Sequence, residues 1–353
     1  MDENSTAPGR LTQHGGMSDT LTKVPFGQTG MTITRAGFGA WAIGGGGWAF
    51  AWGDQEDDDS VAAIRHAVES GINWVDTAAV YGLGHSEEVV ARALRDFPEA
   101  DRPYVFTKGG LVWDESDRTK APRRVGDPAS LRREVEASLR RLGVDRIDLY
   151  QQHRPAEDGT PLEEYWQTFL DLRAEGKIRA AGLSNHDVAQ LTAAEAVGHV
   201  DSLQPQFSLI HRDAAAGLIP WCAAHGTGVI AYSPMGAGLL TGAFTPERAA
   251  HLDQGDWRSR SADFTGDGLA RNLALVDALR PVADRLGVST GALAVAWTLA
   301  FPGVSGAIVG ARSPQQVDGW LAAAELVLND KDLTEIAAAV ASSGAGTGPA
   351  HPG

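Results

Sequence analysis

The sequence predicts a (β/α)8 TIM barrel, because short apolar runs of β-forming residues alternate with longer helical patterns along most of the chain. Eight such runs are present, and eight strand–helix repeats favour a closed barrel over an open, doubly wound sheet. The 353 residues suffice for one such domain, which typically takes roughly 250. The predicted strands are 33–39, 72–77, 104–108, 147–152, 180–185, 202–206, 228–233 and 306–310.

Helices are predicted where apolar residues recur at intervals of three and four, the spacing that places them on one helix face. A further pattern of this kind at 331–342 follows the eighth unit and predicts an added C-terminal helix. The stretch 234–268, after the seventh strand, is a long loop, and loops of this length are usually functional lids or disordered. The helices expected between the strands are 60–70, 86–95, 129–141, 162–175 and 187–196.

The two ends of the chain differ in composition from the barrel. Residues 1–22 are polar and small, and we expect them to form a disordered leader. Residues 23–340 are predicted to form a single barrel domain. Residues 341–353 are rich in glycine, serine and proline, and we expect a flexible tail there.

Composition limits the classes of partner. The net charge of −15 and the pI near 5.0 repel phosphate backbones and anionic lipid, so we expect neither a nucleic acid nor a membrane partner. Cys222 is the single cysteine, which rules out an internal disulfide and gives no sign of a structural metal site. With no signal-like or long apolar segment, this composition favours the reducing cytoplasm. The sequence leaves the oligomeric state open, and a homo-oligomer is one of the alternatives.

Four ionisable side chains fall at the carboxyl ends of successive predicted strands. Asp76 and Tyr81 follow the second strand, Lys108 ends the third, and His153 follows the fourth. The carboxyl ends of barrel strands converge on one face, and this fold keeps its active site there. We therefore expect the four side chains to form one site.

The chemistry that these residues indicate is proton donation by a phenol. A tyrosine hydroxyl has a pKa of about 10, and a nearby ammonium lowers that pKa by stabilising the tyrosinate. Lys108 is therefore the predicted tuner of Tyr81, with Asp76 as the counter-ion of Lys108, and His153 would direct a substrate oxygen. Each residue also has a structural interpretation. Tyr81 could pack and Asp76 could cap a turn. Lys108 could be solvated, and His153 could be a buried histidine with satisfied hydrogen bonds.

A Rossmann sheet is the weaker alternative, because no GxGxxG motif follows the first strand. The glycine run 44–47 is followed by Trp48, Phe50 and Trp52 rather than by a helix. We interpret it as a flexible, aromatic-lined loop.

Seven segments carry more specific information: GINWVDTAAVYGLGHSEEVVARAL, VFTKGG, SLRRLGVDRIDLYQQHRP, GKIRAAGLSNH, LQPQFSLIHR, IAYSPMGAGLLTG and IVGARSPQQ. In this order and spacing they resemble the aldo-keto reductase family over about residues 26–325. The opening TGMTITRAGFGAWAIGG, together with WGDQEDDDS and GARSP, is most similar to the bacterial general-stress and inositol-cluster branch.

This resemblance implies an α/β barrel that reduces an aldehyde or ketone with NADPH and without a metal. Tyr81 matches the family's proton donor, Lys108 and Asp76 its tuning pair, and His153 its substrate-orienting histidine. Two alternatives stay open. One is an NADP(H)-sensing interaction protein that resembles the cytoplasmic β-subunits of potassium channels, and the other is oxidation of an alcohol or polyol in the reverse direction.

The resemblance also implies where a nicotinamide would lie. Ser184, Asn185 and Gln204 match positions that bind its carboxamide, although the first two could instead cap the helix that begins near 187. Tyr232 matches a tyrosine that stacks on the ring. The backbone of 233–238 would cradle the pyrophosphate.

The segment after the eighth strand is predicted to bind a phosphate. Ser313 and Pro314 mark the start of a helix, and Arg312 adds a permanent cation, which favours NADP over NAD. Gly319 and Trp320 stand where many family members have Glu and Asn, so the adenine contacts stay open. The predicted cofactor-binding residues are Gly39, Trp41, Ser184, Asn185, Gln204, Tyr232, Ser233, Pro234, Met235, Gly236, Gly238, Leu239, Gly310, Arg312 and Gln316.

The substrate pocket is predicted to be aromatic. Four tryptophans from the loops after strands one and three could form its rim: Trp41, Trp48, Trp52 and Trp113. Arg154 immediately follows His153, where related sequences often carry another residue such as tryptophan. We hypothesise that Arg154 favours oxygen-rich or anionic substrates.

Overall fold

The computed structural model describes residues 21–253 and 255–352. The predicted leader lies outside the described residues except for Leu21 and Thr22. Thr22 donates two hydrogen bonds to the carboxylate of Glu325, from its backbone N at 2.6 Å and from its hydroxyl at 2.9 Å.

The eight predicted strands form a closed parallel barrel, which confirms the predicted fold. Each strand pairs with its neighbours in chain order, and the eighth pairs with the first, so that the sheet has no free edge. The strands are β1 (Ala36–Gly39), β2 (Trp74–Asp76), β3 (Tyr104–Gly109), β4 (Ile147–Gln152), β5 (Ile178–Ser184), β6 (Ser202–Gln204), β7 (Gly228–Tyr232) and β8 (Val304–Gly310).

A hairpin closes the N-terminal end of the barrel. Its strands, Lys23–Pro25 and Thr32–Thr34, pair antiparallel, which is why β1 begins three residues later than predicted. Phe26 of the hairpin stacks on Phe106 inside the barrel, with ring centroids 5.7 Å apart. Among the described residues, the barrel interior is therefore filled with side chains at this end.

Eleven helices occur within the described ranges, and most lie outside the barrel. A second antiparallel ribbon, Leu111–Val112 with Arg123–Arg124, follows β3. The added C-terminal helix is present as predicted. The helices are α1 (Asp57–Glu69), α2 (His85–Leu94), α3 (Pro128–Leu142), α4 (Leu162–Ala174), α5 (Val188–Val197), α6 (Leu218–His225), α7 (Pro246–Ala250), α8 (Gly266–Leu286), α9 (Thr290–Leu299), α10 (Pro314–Leu321) and α11 (Asp330–Ser343).

The long loop between β7 and α8 folds into short helical turns. Besides α7 it contains the 3-10 turns Gly236–Thr241, Trp257–Arg260 and Ala262–Phe264. Phe264 is buried against Phe244 of the same loop, with ring centroids 5.1 Å apart. Both rings belong to the main apolar core of the domain, so the loop is packed against the rest of the protein.

The segment after α11 contacts the barrel through Arg212. The guanidinium of this buried arginine donates to the backbone carbonyls of Leu209, Ala345 and Gly348. Trp297 donates from its indole to the carbonyl of Ala350 at 3.2 Å. These bonds fix where the segment lies, and its predicted flexibility stays a prediction.

No helix within residues 21–253 and 255–352 is both long and apolar enough to cross a membrane. Cys222 is buried in α6, and burial raises the pKa of its thiol to about 12. The thiol is therefore protonated and inert at neutral pH.

Candidate active site

A cavity of about 700 Å³ opens at the carboxyl ends of the barrel strands. Asp76, Tyr81 and His153 line its wall, and Lys108 lies buried behind it. The structure thus brings together the four side chains that the sequence places at strand ends.

Lys108 and Asp76 form a buried ion pair. The ammonium donates to Asp76 Oδ1 at 2.6 Å and to the carbonyl of Thr77 at 2.8 Å. Burial raises the pKa of Asp76 and lowers that of Lys108, and the attraction between the two charges opposes both shifts. Asp76 therefore does not cap a turn, and Lys108 is not solvated.

Tyr81 is presented by the turn between β2 and α2. Gly82 follows it at φ 62° and lies so close to the glycine run that an added Cβ would stand 2.0 Å from the carbonyl oxygen of Gly44. Only glycine fits there, and this contact fixes Tyr81 against the aromatic loop. Lys108 Nζ lies 5.2 Å from the Tyr81 ring centroid, and the His153 ring meets it edge-on at 5.7 Å.

The predicted lowering of the Tyr81 pKa by Lys108 is wrong for the folded protein. Burial raises the pKa of Tyr81 well above its usual value, the charge of Asp76 raises it further, and Arg154 acts in the opposite direction. Lys108 lies over the ring and shares its charge with Asp76, which reduces its effect on the hydroxyl. Tyr81 therefore holds its proton at neutral pH.

His153 lines the cavity, and its ring is not fully hydrogen-bonded. Its Nδ1 is buried and has no partner among the described residues. Burial lowers the pKa of His153 well below its usual value, and the charges of Lys108 and Arg154 lower it further. The imidazole is therefore neutral at pH 7, and the interpretation as a histidine with satisfied hydrogen bonds does not hold.

The three residues predicted to bind a carboxamide already contact one another. Ser184 donates to the carbonyl of Gln204 at 3.0 Å, and Asn185 donates to Ser184 Oγ at 3.0 Å. Gln204 itself donates to Asp76 Oδ2 at 2.9 Å. Helix α5 is capped by Asp187, in a capping box with Gln190, so neither Ser184 nor Asn185 is the helix cap.

Tyr232 and the turn after it form the adjoining wall. The Tyr232 hydroxyl donates to Asn185 Oδ1 at 2.7 Å. Ser233 and Ala237 have positive φ angles of 57° and 52°, which turn the backbone sharply here. Of the fifteen predicted cofactor-binding residues, all but Gly236 and Leu239 line the cavity. Leu239 is buried in the core, and the Cα of Gly236 faces Ile210.

Arg312 lies at the cavity end near β7 and β8, but its nitrogens are engaged. Its guanidinium donates to the side chain of Gln55 and to the carbonyls of Trp52 and Asp54. The Gln316 side chain accepts from the Arg312 backbone N at 2.8 Å. Burial lowers the pKa of Arg312, and the charges of Arg258 and Arg248 lower it further. Three guanidinium groups therefore lie close together at this end.

Sequence reasoning described the long loop as a functional lid or a disordered segment, but it missed the residues that the loop contributes to the site. Trp257 stacks on Trp41 at 5.2 Å, and Arg258 lies 4.7 Å from the Trp52 ring. Asp256 accepts three hydrogen bonds from the Arg258 side chain, two from Nε at 3.0 and 3.1 Å and one from Nη2 at 2.6 Å, and both residues are buried. The aromatic and charged DWR segment within a loop of small polar residues is the signal that could have found them.

Three of the four predicted rim tryptophans line the cavity. They are Trp41, Trp48 and Trp52, and Trp41 also stacks on Tyr81 at 6.2 Å. Trp113 packs against this cluster and donates to Glu115 at 2.9 Å, but it does not reach the cavity wall. The ring of Trp320 is on the wall, so its predicted stacking on an adenine stays a prediction.

The buried side chain of His186, behind the site, should make the protein less stable in acid. His186 contacts Tyr165 Oη at 2.8 Å and the carbonyl of Ser184 at 2.9 Å, and burial lowers its pKa to about 4. Between pH 6.5 and 4 the unfolded chain therefore binds a proton at this histidine that the folded chain does not bind. The contribution of His186 to the free energy of unfolding is thus fully present above pH 6.5 and is lost as the pH falls towards 4. We expect the free energy of unfolding to fall by about 3 kcal/mol from pH 7 to pH 4 through this residue.

Urea denaturation at several pH values measures this effect. The control is His186→Gln, which keeps a polar group but has no titrating proton and should show a shallower decline than the wild type. An equal slope in the two proteins would contradict the prediction.

Comparison with known proteins identifies the class to which this barrel and its cavity belong. Residues 37–341 match the model of the Aldo/keto reductase family. The chain belongs to that family, whose members are oxidoreductases that use nicotinamide cofactors.

Particular relatives cover nearly the whole chain. The chain is 34% identical to the NADH-specific methylglyoxal reductase of Escherichia coli (strain K12), over 89% of this chain and 97% of that protein. It is 35% identical to the aldo-keto reductase YhdN of Bacillus subtilis (strain 168), over 87% and 90%. Among solved structures it is similar to the glycerol dehydrogenase AKR11B4 from Gluconobacter oxydans, with a TM-score of 0.82 and 35% identity over 94% and 98%. The assignment to the bacterial general-stress and inositol-cluster branch of the family stays a prediction.

Proposed function

We propose that this chain reduces an aldehyde or ketone to an alcohol, with a hydride from a nicotinamide cofactor and a proton from Tyr81. One observation carries the proposal. Tyr81 stands on the cavity wall between a buried lysine–aspartate pair and a neutral histidine with an unpartnered ring nitrogen. A phenol in this setting can give up a proton when negative charge develops on an oxygen beside it.

Each residue has a role that follows from its charge. The single N–H of neutral His153 would donate to the substrate oxygen and hold the carbonyl in place. Tyr81 keeps its proton until the carbonyl carbon is reduced and then transfers it to the oxygen. Lys108 would stabilise the tyrosinate that remains, and Asp76 keeps Lys108 charged within the barrel.

The other end of the cavity fits a dinucleotide. Arg248, Arg258 and Arg312 line it, and Asp256 bonds to one of them, so positive charge is in excess where a pyrophosphate would lie. Trp52 and Trp320 each have a buried indole N–H without an acceptor among the described residues. Bound there with its ring against Tyr232, a reduced nicotinamide would supply the hydride.

NADPH is the proposed reductant. Arg312 is the residue proposed to bind the phosphate that NADPH carries and NADH lacks. Because the loop carbonyls already accept from Arg312, a phosphate would have to replace them. We expect Arg312→Ala to raise KM for NADPH by about 10-fold or more, and to raise KM for NADH by less, since a charge-assisted hydrogen bond contributes roughly 1.5–3 kcal/mol. Steady-state kinetics with both cofactors measure this.

The control for that experiment is Arg146→Gln, at the opposite end of the barrel, where the side chain is exposed. A wild-type preference for NADH, like that in the name of the Escherichia coli relative, would contradict the role of Arg312.

Turnover on a panel of carbonyl compounds tests the proposed function itself. Methylglyoxal belongs in the panel because of the Escherichia coli relative, and glycerol tests the reverse direction because of the Gluconobacter structure. Consumption of reduced cofactor with any of these aldehydes or ketones supports the proposal. Tight cofactor binding without turnover would instead favour the sensing alternative.

A further inference from the structure

One charged side chain on the cavity wall has no role in the reaction described so far. Arg154 follows β4 directly after His153 and lines the cavity. Its backbone carbonyl is fixed by a hydrogen bond of 3.0 Å from the Gln152 side chain. The charge of its guanidinium acts on Tyr232, Tyr81 and His153. Arg154 therefore lies where a substrate would bind.

The charge of Arg154 is not balanced by the cavity. Among the described residues that line the cavity, Asp76 is the one carboxylate, and it is bonded to Lys108. The aromatic rings of Trp41, Trp48 and Tyr81 line the same cavity. A partly buried cation beside apolar groups is unfavourable unless an anion pairs with it. A ligand is the available source of that anion.

The ligand concerned is the substrate rather than the cofactor. In an eight-stranded ring β4 and β8 lie on opposite sides, so Arg154 lies across the barrel from Arg312 and the other phosphate-end arginines. The anion bound by Arg154 must therefore be within a few ångströms of the carbonyl that Tyr81 and His153 hold. A carboxylate suits this position, since the planar guanidinium binds it through two parallel hydrogen bonds.

We propose that Arg154 selects carbonyl substrates that carry a carboxylate, which are the oxo acids and semialdehydes of short carboxylic acids. This inference rests on the proposed function, because it names the substrate class of the same site. Neutral aldehydes would enter the same aromatic cavity but leave Arg154 unpaired.

Matched substrate pairs test the proposal. Succinic semialdehyde is compared with its methyl ester, and pyruvate with methyl pyruvate, so that each pair differs in the carboxylate charge. The wild type should favour the acid of at least one pair in kcat/KM by on the order of 10- to 100-fold, mainly through KM. Arg154→Gln should abolish most of that ratio, and Arg154→Lys should restore part of it. Arg146→Gln, at the other end of β4, is the matched control and should keep the wild-type ratio.

A binding measurement keeps this inference separable from the proposed function. Benzoate and benzamide are titrated into the full chain with NADPH present, and the fluorescence of the cavity tryptophans is followed. Tighter binding of benzoate in the wild type, lost in Arg154→Gln, supports the carboxylate site even if no aldehyde is turned over. Equal acid-to-ester ratios in the wild type and Arg154→Gln, or, without turnover, equal binding of the two aromatics, would overturn it.

Discussion

Replacing Tyr81 with phenylalanine should lower kcat for carbonyl reduction by on the order of 10²- to 10⁴-fold, the usual contribution of a general acid. The substitution removes the hydroxyl and keeps the ring that stacks on Trp41, so the cavity wall should stay intact. The substrate oxygen would then have to take its proton from water or from the neutral imidazole of His153, and both are much weaker acids than a phenol. Single-turnover reduction of an aldehyde with pre-bound cofactor measures the chemical step directly.

The matched control is Tyr104→Phe. Tyr104 begins β3 at the far end of the barrel, where its ring packs with Arg179 at 5.5 Å, and its hydroxyl has no part in the proposed reaction. Cofactor affinity should be similar in the wild type and in both variants. Turnover that survives in Tyr81→Phe would show that another group donates the proton.

The ends of the strands explain why so much of this site was predictable. Apolar runs with β-forming residues locate the strands, and the ring closure of the barrel then dictates that residues following adjacent strands meet at one face. Asp76 and Lys108 therefore had to be neighbours, since β2 and β3 pair directly. The 2.6 Å ion pair is a consequence of that register.

Contacts between side chains that are distant along the chain were not predictable in the same way. The amide of Gln204 was expected to face a cofactor, and in the structure it donates to Asp76. Arg312 was expected to bind a phosphate as a permanent cation, and in the structure its guanidinium contacts Gln55 and the carbonyls around it. Strand register places both residues at the cavity. The acceptor to which each side chain donates depends on loop conformations, which the local sequence patterns do not encode.

The protonation of Tyr81 shows the same limit. A lysine beside a tyrosine indicates a lowered pKa, and that inference treats the pair in isolation. In the folded chain, withdrawal from water and the carboxylate of Asp76 both raise the pKa of Tyr81. The balance of these opposing effects depends on burial, which is known only when the barrel and its long loop are in place.

The second large effect is expected on stability. Asp76→Asn should reduce the free energy of unfolding at pH 7 by about 3–5 kcal/mol, because it leaves Lys108 buried without its counter-ion. The double variant Asp76→Asn, Lys108→Met should be destabilised by less than the sum of the two single substitutions, since it removes both charges from the interior. Urea denaturation of the four proteins gives the coupling free energy between the two side chains.

The pH dependence of the same variants distinguishes a lost charge pair from a simple packing defect. Burial lowers the pKa of Lys108, and without Asp76 nothing comparable opposes that shift. The unfolded chain then binds a proton that the folded chain lacks, up to the ordinary lysine pKa of about 10.4, so stability should rise with pH across this range. Asp76→Asn should therefore recover stability between pH 7 and pH 9.5 more steeply than the wild type, whereas the double variant, without Lys108, should not. Parallel curves for the single and double variants would mean that the pair contributes through shape alone.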